Sequence, residues 1–378
     1  MQPNSQAYTQ PWQQLRLRLG DGNYGANNLH ELLSREGLQR ETAEQLYRFL
    51  SEWFEPNPTM WLQTSGSSGT PKPIEAQKAH MLRSAEMSCQ FFGLGRADVA
   101  LLCMDLRYIG ARMLIVRALV CGMRIVIRPA SSAPLSDPSL GSEGLTFAAL
   151  VPLQVYHALK AREPLLGSIR QIIIGGAAVP LNLRQKLRQY SNLIYASYGM
   201  TETLSHIALA PLSGGVTDLI YTPLPNIGLS LSQRQTLIID APQIGVRSLE
   251  VNDLAELLDT PNIKDDGVKF RLLGRADLVI NTGGVKVAAD SLEEQLGQWL
   301  GLPLAASWQV DERLGQRIVL IVEAPTERER AIRVQYTKAF ASLPPHHRPK
   351  ALFFVPKLPR LGSGKLDRQA LLALVRTL

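Results

Sequence analysis

Four short apolar runs punctuate residues 80–180: 99–105 (VALLCMD), 124–129 (RIVIRP), 146–152 (TFAALVP) and 171–176 (QIIIGG). These runs are bounded by Gly, Pro or Asp, and helix-like stretches separate them. Their apolar residues are continuous rather than alternating, which predicts strands buried on both faces. Strand and helix in alternation predict an α/β fold, a large and mostly parallel sheet flanked by helices. From about 215 to 260 the segments shorten and Pro and Gly become frequent, as in 236–240 (TLIID) and 247–258. A small antiparallel β unit is expected there. Beyond Gly274 a run of strand (LVINTG), helix (291–300), strand (IVLIVEA), helix (327–343) and strand (ALFFVP) reads as a separate α+β module. The expected division is 1–273 and 274–378, the smaller part mobile. The first fifty residues read as a polar arm followed by one or two amphipathic helices carrying Leu32, Leu33, Leu38, Leu46, Leu50 and Trp53.

Composition narrows the class. With 45% hydrophobic and 19% charged residues, the 378-residue chain has enough apolar surface to fold. An excess of 40 Lys+Arg over 33 Asp+Glu suits anionic partners, but it is dispersed and aromatics are only 6%, so nucleic-acid binding is not expected. Three cysteines without ligand spacing make a disulfide framework or zinc site improbable. The polar N-terminal stretch does not read as a signal peptide, and Arg112, Arg117 and Arg124 break the most apolar stretch, so no membrane span is expected and the cytoplasm is the expected location. Oligomeric state is not legible.

Four segments carry chemistry. Thr64-Ser65-Gly66-Ser67-Ser68-Gly69-Thr70-Pro71-Lys72 combines inward-turning backbone amides, hydroxyls and one lysine, the parts of a phosphate cradle, although its spacing is not that of a Walker loop. A flexible linker is the plainer alternative. Tyr198-Gly199-Met200-Thr201-Glu202 could present a hydroxyl to phosphate and a carboxylate to Mg²⁺, or could be an ordinary strand-to-helix junction. Gly274-Arg275-Ala276-Asp277 with Gly283-Gly284-Val285-Lys286, and Gly362-Ser363-Gly364-Lys365 through Arg368, each set a cation beside a glycine-rich turn.

In this order the four segments strongly resemble the adenylate-forming enzymes: acyl-CoA synthetases, adenylation domains and luciferase-like proteins. The resemblance covers residues 61–370 and is strengthened by Gly175-Gly176-Ala177 after an apolar strand and by Asn252-Asp253. It implies that a carboxylic acid and ATP, with Mg²⁺, form an acyl-adenylate, and that coenzyme A then displaces AMP. Lys365, Thr201 and Glu202 would be catalytic, with Glu202 holding the metal. Thr64, Ser65, Gly66, Ser67, Ser68, Gly69, Lys72, Gly175, Gly176, Ala177, Tyr198, Gly199, Asp253 and Arg275 would contact the nucleotide. Asp277 would be the hinge, and Gly283, Gly284 and Lys286 the CoA-side loop. The chain is shorter than usual members, and Tyr108 stands where many relatives carry a histidine. Segments 108–122, 147–155 and 172–180 and the stretch after Thr201 further resemble the o-succinylbenzoate–CoA ligases of menaquinone synthesis. An aromatic dicarboxylate needs a fixed cation for the carboxylate that does not react, and Arg107, Tyr108, Arg112, Ser205 and His206 are candidates for the acyl pocket. An adenylating ligase for another acid, or a non-catalytic nucleotide-binding protein on this fold, are the alternatives.

Overall fold

The continuous apolar runs do become central strands. In the computed structural model, which describes residues 10–63, 73–258, 268–360 and 366–378, a nine-stranded sheet runs in the order Thr222–Pro223, His206–Pro211, Leu193–Gly199, Gln171–Ile174, Phe147–Leu150, Val99–Leu102, Arg124–Ile127, Leu17–Leu19, Gly22–Tyr24. The pairings from Leu193–Gly199 across to Leu17–Leu19 are all parallel, and both margins turn antiparallel. Phe147–Leu150 and Gln171–Ile174 are buried at every position, as strands covered on both faces must be.

The N-terminal reading needs correction. Leu17–Leu19 and Gly22–Tyr24 are not a polar arm; they extend the main sheet, with Leu19 opposite Ile125. Three-residue strands are too short for periodicity to reveal. A 3₁₀ turn at Leu29–Ser34 and helix α1 (Arg40–Phe54) follow; Leu32, Leu46, Leu50 and Trp53 are buried as expected, whereas Leu33 is exposed.

Two helices pack against each other on the large sheet. Helix α2 (Lys78–Phe92) ends at Gly93 and helix α3 (Ile109–Cys121) at Gly122, both glycines left-handed (φ 61° and 71°), so each helix stops where the chain must turn into a strand. Residues Met113 through Leu119 of α3 are all buried. A helix apolar on every side belongs inside a protein, and the one charge in that stretch, Arg117, is carried in with it.

Strands Gly228–Leu231, Thr236–Ala241, Val246–Leu258 and Lys269–Arg275 form the expected antiparallel unit. Tyr221 at the margin of the large sheet bridges to Phe270, and the two rings stack at 5.3 Å. The large core reaches as far along the chain as Phe270, and separate cores begin at Ile280. Within the latter part, Gly315–Glu323 pairs antiparallel with Leu304–Asp311, which the sequence reading did not single out, and parallel with Ala351–Val355. Helices Ala289–Leu300, Glu329–Ala341 and Arg368–Thr377 complete it. No helix among the described residues is long and apolar enough to cross a membrane.

Candidate active site

Neighbouring parallel strands Gln171–Ile174 and Leu193–Gly199 deliver Gly175-Gly176-Ala177 and the Thr201-Glu202 segment to the same edge of the sheet, since both run out of their carboxyl ends. That edge is where open α/β sheets bind ligands. After the first strand, Gly175 lies so close to the second that a Cβ there would stand 2.6 Å from Ser197 Oγ; Gly176 follows at φ 81°, and Ala177 is exposed. Ser197 Oγ donates to Ile174 O at 3.1 Å, which ties the two strands just ahead of the turn.

The second segment is a connection between strands, not the strand-to-helix junction weighed as its plainer reading: Leu193–Gly199 pairs antiparallel with His206–Pro211. Gly199 permits this return, because a Cβ would run into the backbone of Ser205 and His206. Thr203, wholly buried, pins the loop. Its hydroxyl receives Met200 N–H at 3.0 Å and meets the carbonyls of Met200 and Ser205 at 3.1 and 2.8 Å. That staple leaves Thr201 buried at the turn and the Glu202 carboxylate in solvent. A lone exposed carboxylate suits Mg²⁺, which keeps several waters and takes its other ligands from phosphate oxygens. No cluster of three metal-ligating side chains occurs among the described residues.

Tyr198, next to last in that strand, reaches across to the antiparallel unit. Its hydroxyl donates to Asp253 Oδ2 at 2.7 Å; Asp253 Oδ1 lies 3.6 Å from Arg275 Nη1, its cross-strand neighbour. Arg275 in turn grips Asp277 with two bonds of 2.9 and 2.7 Å. Burial, with the Asp253 charge, pushes the Tyr198 phenol up, so it stays a donor. The bonds to Asp277 hold the Arg275 guanidinium cationic. The residues expected at the ribose and at the hinge thus form one continuous polar chain.

Residues Gly283 and Gly284 occupy a two-residue hairpin between Val279–Thr282 and Val285–Ala288, both at positive φ (58° and 80°), the conformation such turns require. Lys286 is exposed on the outgoing strand. Residues Thr64 to Lys72 and Lys365 lie outside the described residues. Their flanks are placed: Gln63 pairs with Pro73, and Arg360 with Leu366. Three residues past Lys365, Arg368 makes a fork of 2.6 and 2.8 Å with partly buried Glu293, and Asp367 caps the last helix through Gln369 N and Ala370 N.

The acyl-pocket candidates separate. Arg107 is exposed and spends its guanidinium on Asp105, with bonds of 2.6–3.0 Å. Arg112 donates to Leu106 O (2.8 Å) and Trp61 O (3.1 Å) and lies over the Phe49 ring. Tyr108 stands half exposed at the start of α3. Ser205 and His206, by contrast, meet in a buried polar cluster that the sequence reading missed. Its centre is Arg117, 1% exposed: Nε donates to Ser88 Oγ at 2.8 Å, and Nη2 contacts Ser205 Oγ and lies 3.3 Å from His206 Nδ1. No carboxylate among the described residues pairs with it, and burial pulls its pKa down to about 10. The signal for this site was an arginine inside the buried apolar run 113–119 of α3, read only as barring a membrane span.

Residues 28–247 match the AMP-binding enzyme family. A 2-succinylbenzoate–CoA ligase from Bacillus cytotoxicus is 25% identical over 339 residues, spanning 82% of this chain and 69% of that protein. An acyl-CoA synthetase (AMP-forming)/AMP-acid ligase II-like protein from Dyadobacter fermentans superposes with a TM-score of 0.58 at 28% identity, over 90% of this chain and 96% of that one. O-succinylbenzoate coenzyme A synthetase from Bacillus subtilis, in complex with ATP and magnesium ion, superposes with a TM-score of 0.69 at 20% identity, over 88% and 77%. With the match covering more than half of the sequence, and the turn at Gly175, the Thr201-Glu202 loop and the Asp253–Arg275 pair gathered on one sheet edge and its neighbour, the chain belongs to the AMP-binding enzymes, the adenylate-forming ligases.

Proposed function

We propose that this enzyme is an acid–CoA ligase whose acid is o-succinylbenzoate. The observation that carries the choice of acid is Arg117: a buried guanidinium with no carboxylate partner among the described residues, next to Ser205 just past the Thr201-Glu202 loop. Burying a cation without a counter-charge is costly, and the carboxylate of a bound substrate supplies what the fold leaves out. On this reading the ring carboxylate sits on Arg117 and the succinyl carboxylate reacts.

In the first step an oxygen of the succinyl carboxylate bonds to the α-phosphorus of ATP and the bond to pyrophosphate breaks. In the second the sulfur of coenzyme A bonds to the acyl carbon, AMP leaves, and the thiol proton passes to solvent. Bound magnesium supplies charge neutralisation at the phosphate oxygens, and Glu202 is its assigned ligand. Thr201 faces the α-phosphate, Asp253 and Arg275 hold the ribose with Tyr198 orienting Asp253, and the 64–72 segment cradles the outer phosphates. Lys365 brings its ammonium to the carboxylate, on a part of the chain divided from the rest after residue 273. Turning that part about Asp277 replaces the Lys365 segment with the Gly283-Gly284 hairpin and Lys286 for the thioester step.

The test is a coupled assay of pyrophosphate release and CoA consumption with MgATP and a panel of acids. O-succinylbenzoate is expected to lead the panel. A benzoate or fatty acid preferred by orders of magnitude overturns the choice of acid; pyrophosphate release with none of them overturns the ligase.

A further inference from the structure

Ser88 lies on the inward face of α2, wholly buried and outside every segment that carries chemistry. Its hydroxyl sits between two side chains from other elements: Arg117 Nε of α3 at 2.8 Å and His206 Nε2 of the strand His206–Pro211 at 3.1 Å. The protons in this cluster follow from elementary bonding. A guanidinium only donates, so His206 Nδ1, 3.3 Å from Arg117 Nη2, accepts. A neutral imidazole with Nδ1 bare carries its proton on Nε2, which then donates to Ser88 Oγ. Burial and the nearby Arg117 charge push the His206 pKa well down, which keeps the ring neutral. Ser88 Oγ therefore uses both lone pairs, one for the arginine and one for the histidine.

This geometry locks the direction of the guanidinium. With Nε held by Ser88 and Nη2 held between Ser205 and His206, rotation about the last side-chain bonds would break all these contacts at once. A long, flexible side chain becomes a cation of fixed position, and pre-organisation of this kind turns charge into discrimination between ligands.

We propose that Ser88 is a specificity-determining positioning residue: by fixing Arg117 and the His206 tautomer, it makes the ligase select an acid bearing a second carboxylate. The inference rests on the proposed placement of that carboxylate on Arg117. Ser88 touches no reacting atom and acts through its two neighbours.

The experiment compares kcat/KM for o-succinylbenzoate and for 4-oxo-4-phenylbutanoate, the same acid without its ring carboxylate, by pyrophosphate release. Four proteins are used: wild type, Ser88→Ala, Arg117→Met and the double variant. Ser88→Ala is expected to lower the diacid-to-monoacid ratio tenfold or more, and to lower it no further once Arg117 is Met, because the serine works through the arginine. A ratio in Ser88→Ala equal to wild type, or a further fall in the double variant, overturns the inference while leaving the choice of acid intact. A wild-type enzyme that does not distinguish the two acids overturns the placement of the carboxylate itself. Thermal unfolding run alongside confirms that each protein is folded, and a parallel loss of both acids in a folded Ser88→Ala also refutes the role.

Discussion

Replacing Arg117 with methionine should separate stability from function. The side chain is enclosed, and burial without a counter-charge takes its pKa down from the ordinary arginine range to about 10. That fall corresponds to about 3 kcal/mol of charge solvation forgone in the folded protein. Against it stand the bonds to Ser88, Ser205 and His206, each worth about 1 kcal/mol net in folding. The two sums are comparable, and a methionine of similar length fills the space, so Arg117→Met is expected to be neutral or mildly stabilising, as replacement of buried charges by apolar groups often is. The melting temperature should stay within a few degrees of wild type. Turnover should behave differently. Removing one member of a buried charge pair costs roughly 2–5 kcal/mol in binding, so kcat/KM for o-succinylbenzoate should fall by about two orders of magnitude. Unfolding by circular dichroism and pyrophosphate release with the two acids decide it. A large drop in melting temperature with equal loss of both acids would show that Arg117 is a structural pin, and the reasoning would fail.

Tyr198→Phe removes the donor 2.7 Å from Asp253 and is expected to raise KM for ATP more than KM for the acid, with about 1 kcal/mol of stability lost; an unchanged KM for ATP contradicts the ribose-side role. Because Tyr198 stays protonated when folded while an unfolded tyrosine ionises near pH 10, its contribution is present below that pH and fades as pH rises through and above it, so the stability gap between Tyr198→Phe and wild type should narrow in alkaline denaturation curves. Gly199→Ala drives a methyl into the backbone of Ser205 and His206 and should cost at least about 1–3 kcal/mol together with most pyrophosphate release; normal melting and full activity would mean the loop is not held as described. Lys365→Ala should abolish acyl-adenylate formation while CoA still consumes supplied adenylate, and equal loss of both half-reactions would deny the division of labour between the two ends of the reaction.

Much of this protein was legible along the chain. Residues 147–150 and 171–174 announce buried parallel strands because apolar continuity is a local property, and paired glycines at 283–284 announce a turn, which the structure makes a two-residue hairpin. Motif order likewise needs no contacts: a turn that must expose amides to phosphate carries its glycines and hydroxyls within a few positions. Tertiary structure decided the rest. Arg107 and Arg112, nearest in sequence to the expected pocket, are claimed by Asp105 and by the backbone carbonyls of Leu106 and Trp61. The buried charge belongs instead to Arg117, and what holds it comes from residues 88, 205 and 206, on two other elements. Leu17–Leu19 joins the main sheet through a partner more than a hundred residues away. A periodic pattern says which face of an element is apolar. Which polar groups meet inside the core depends on how faces from distant parts of the chain are packed together, and only the folded arrangement sets that.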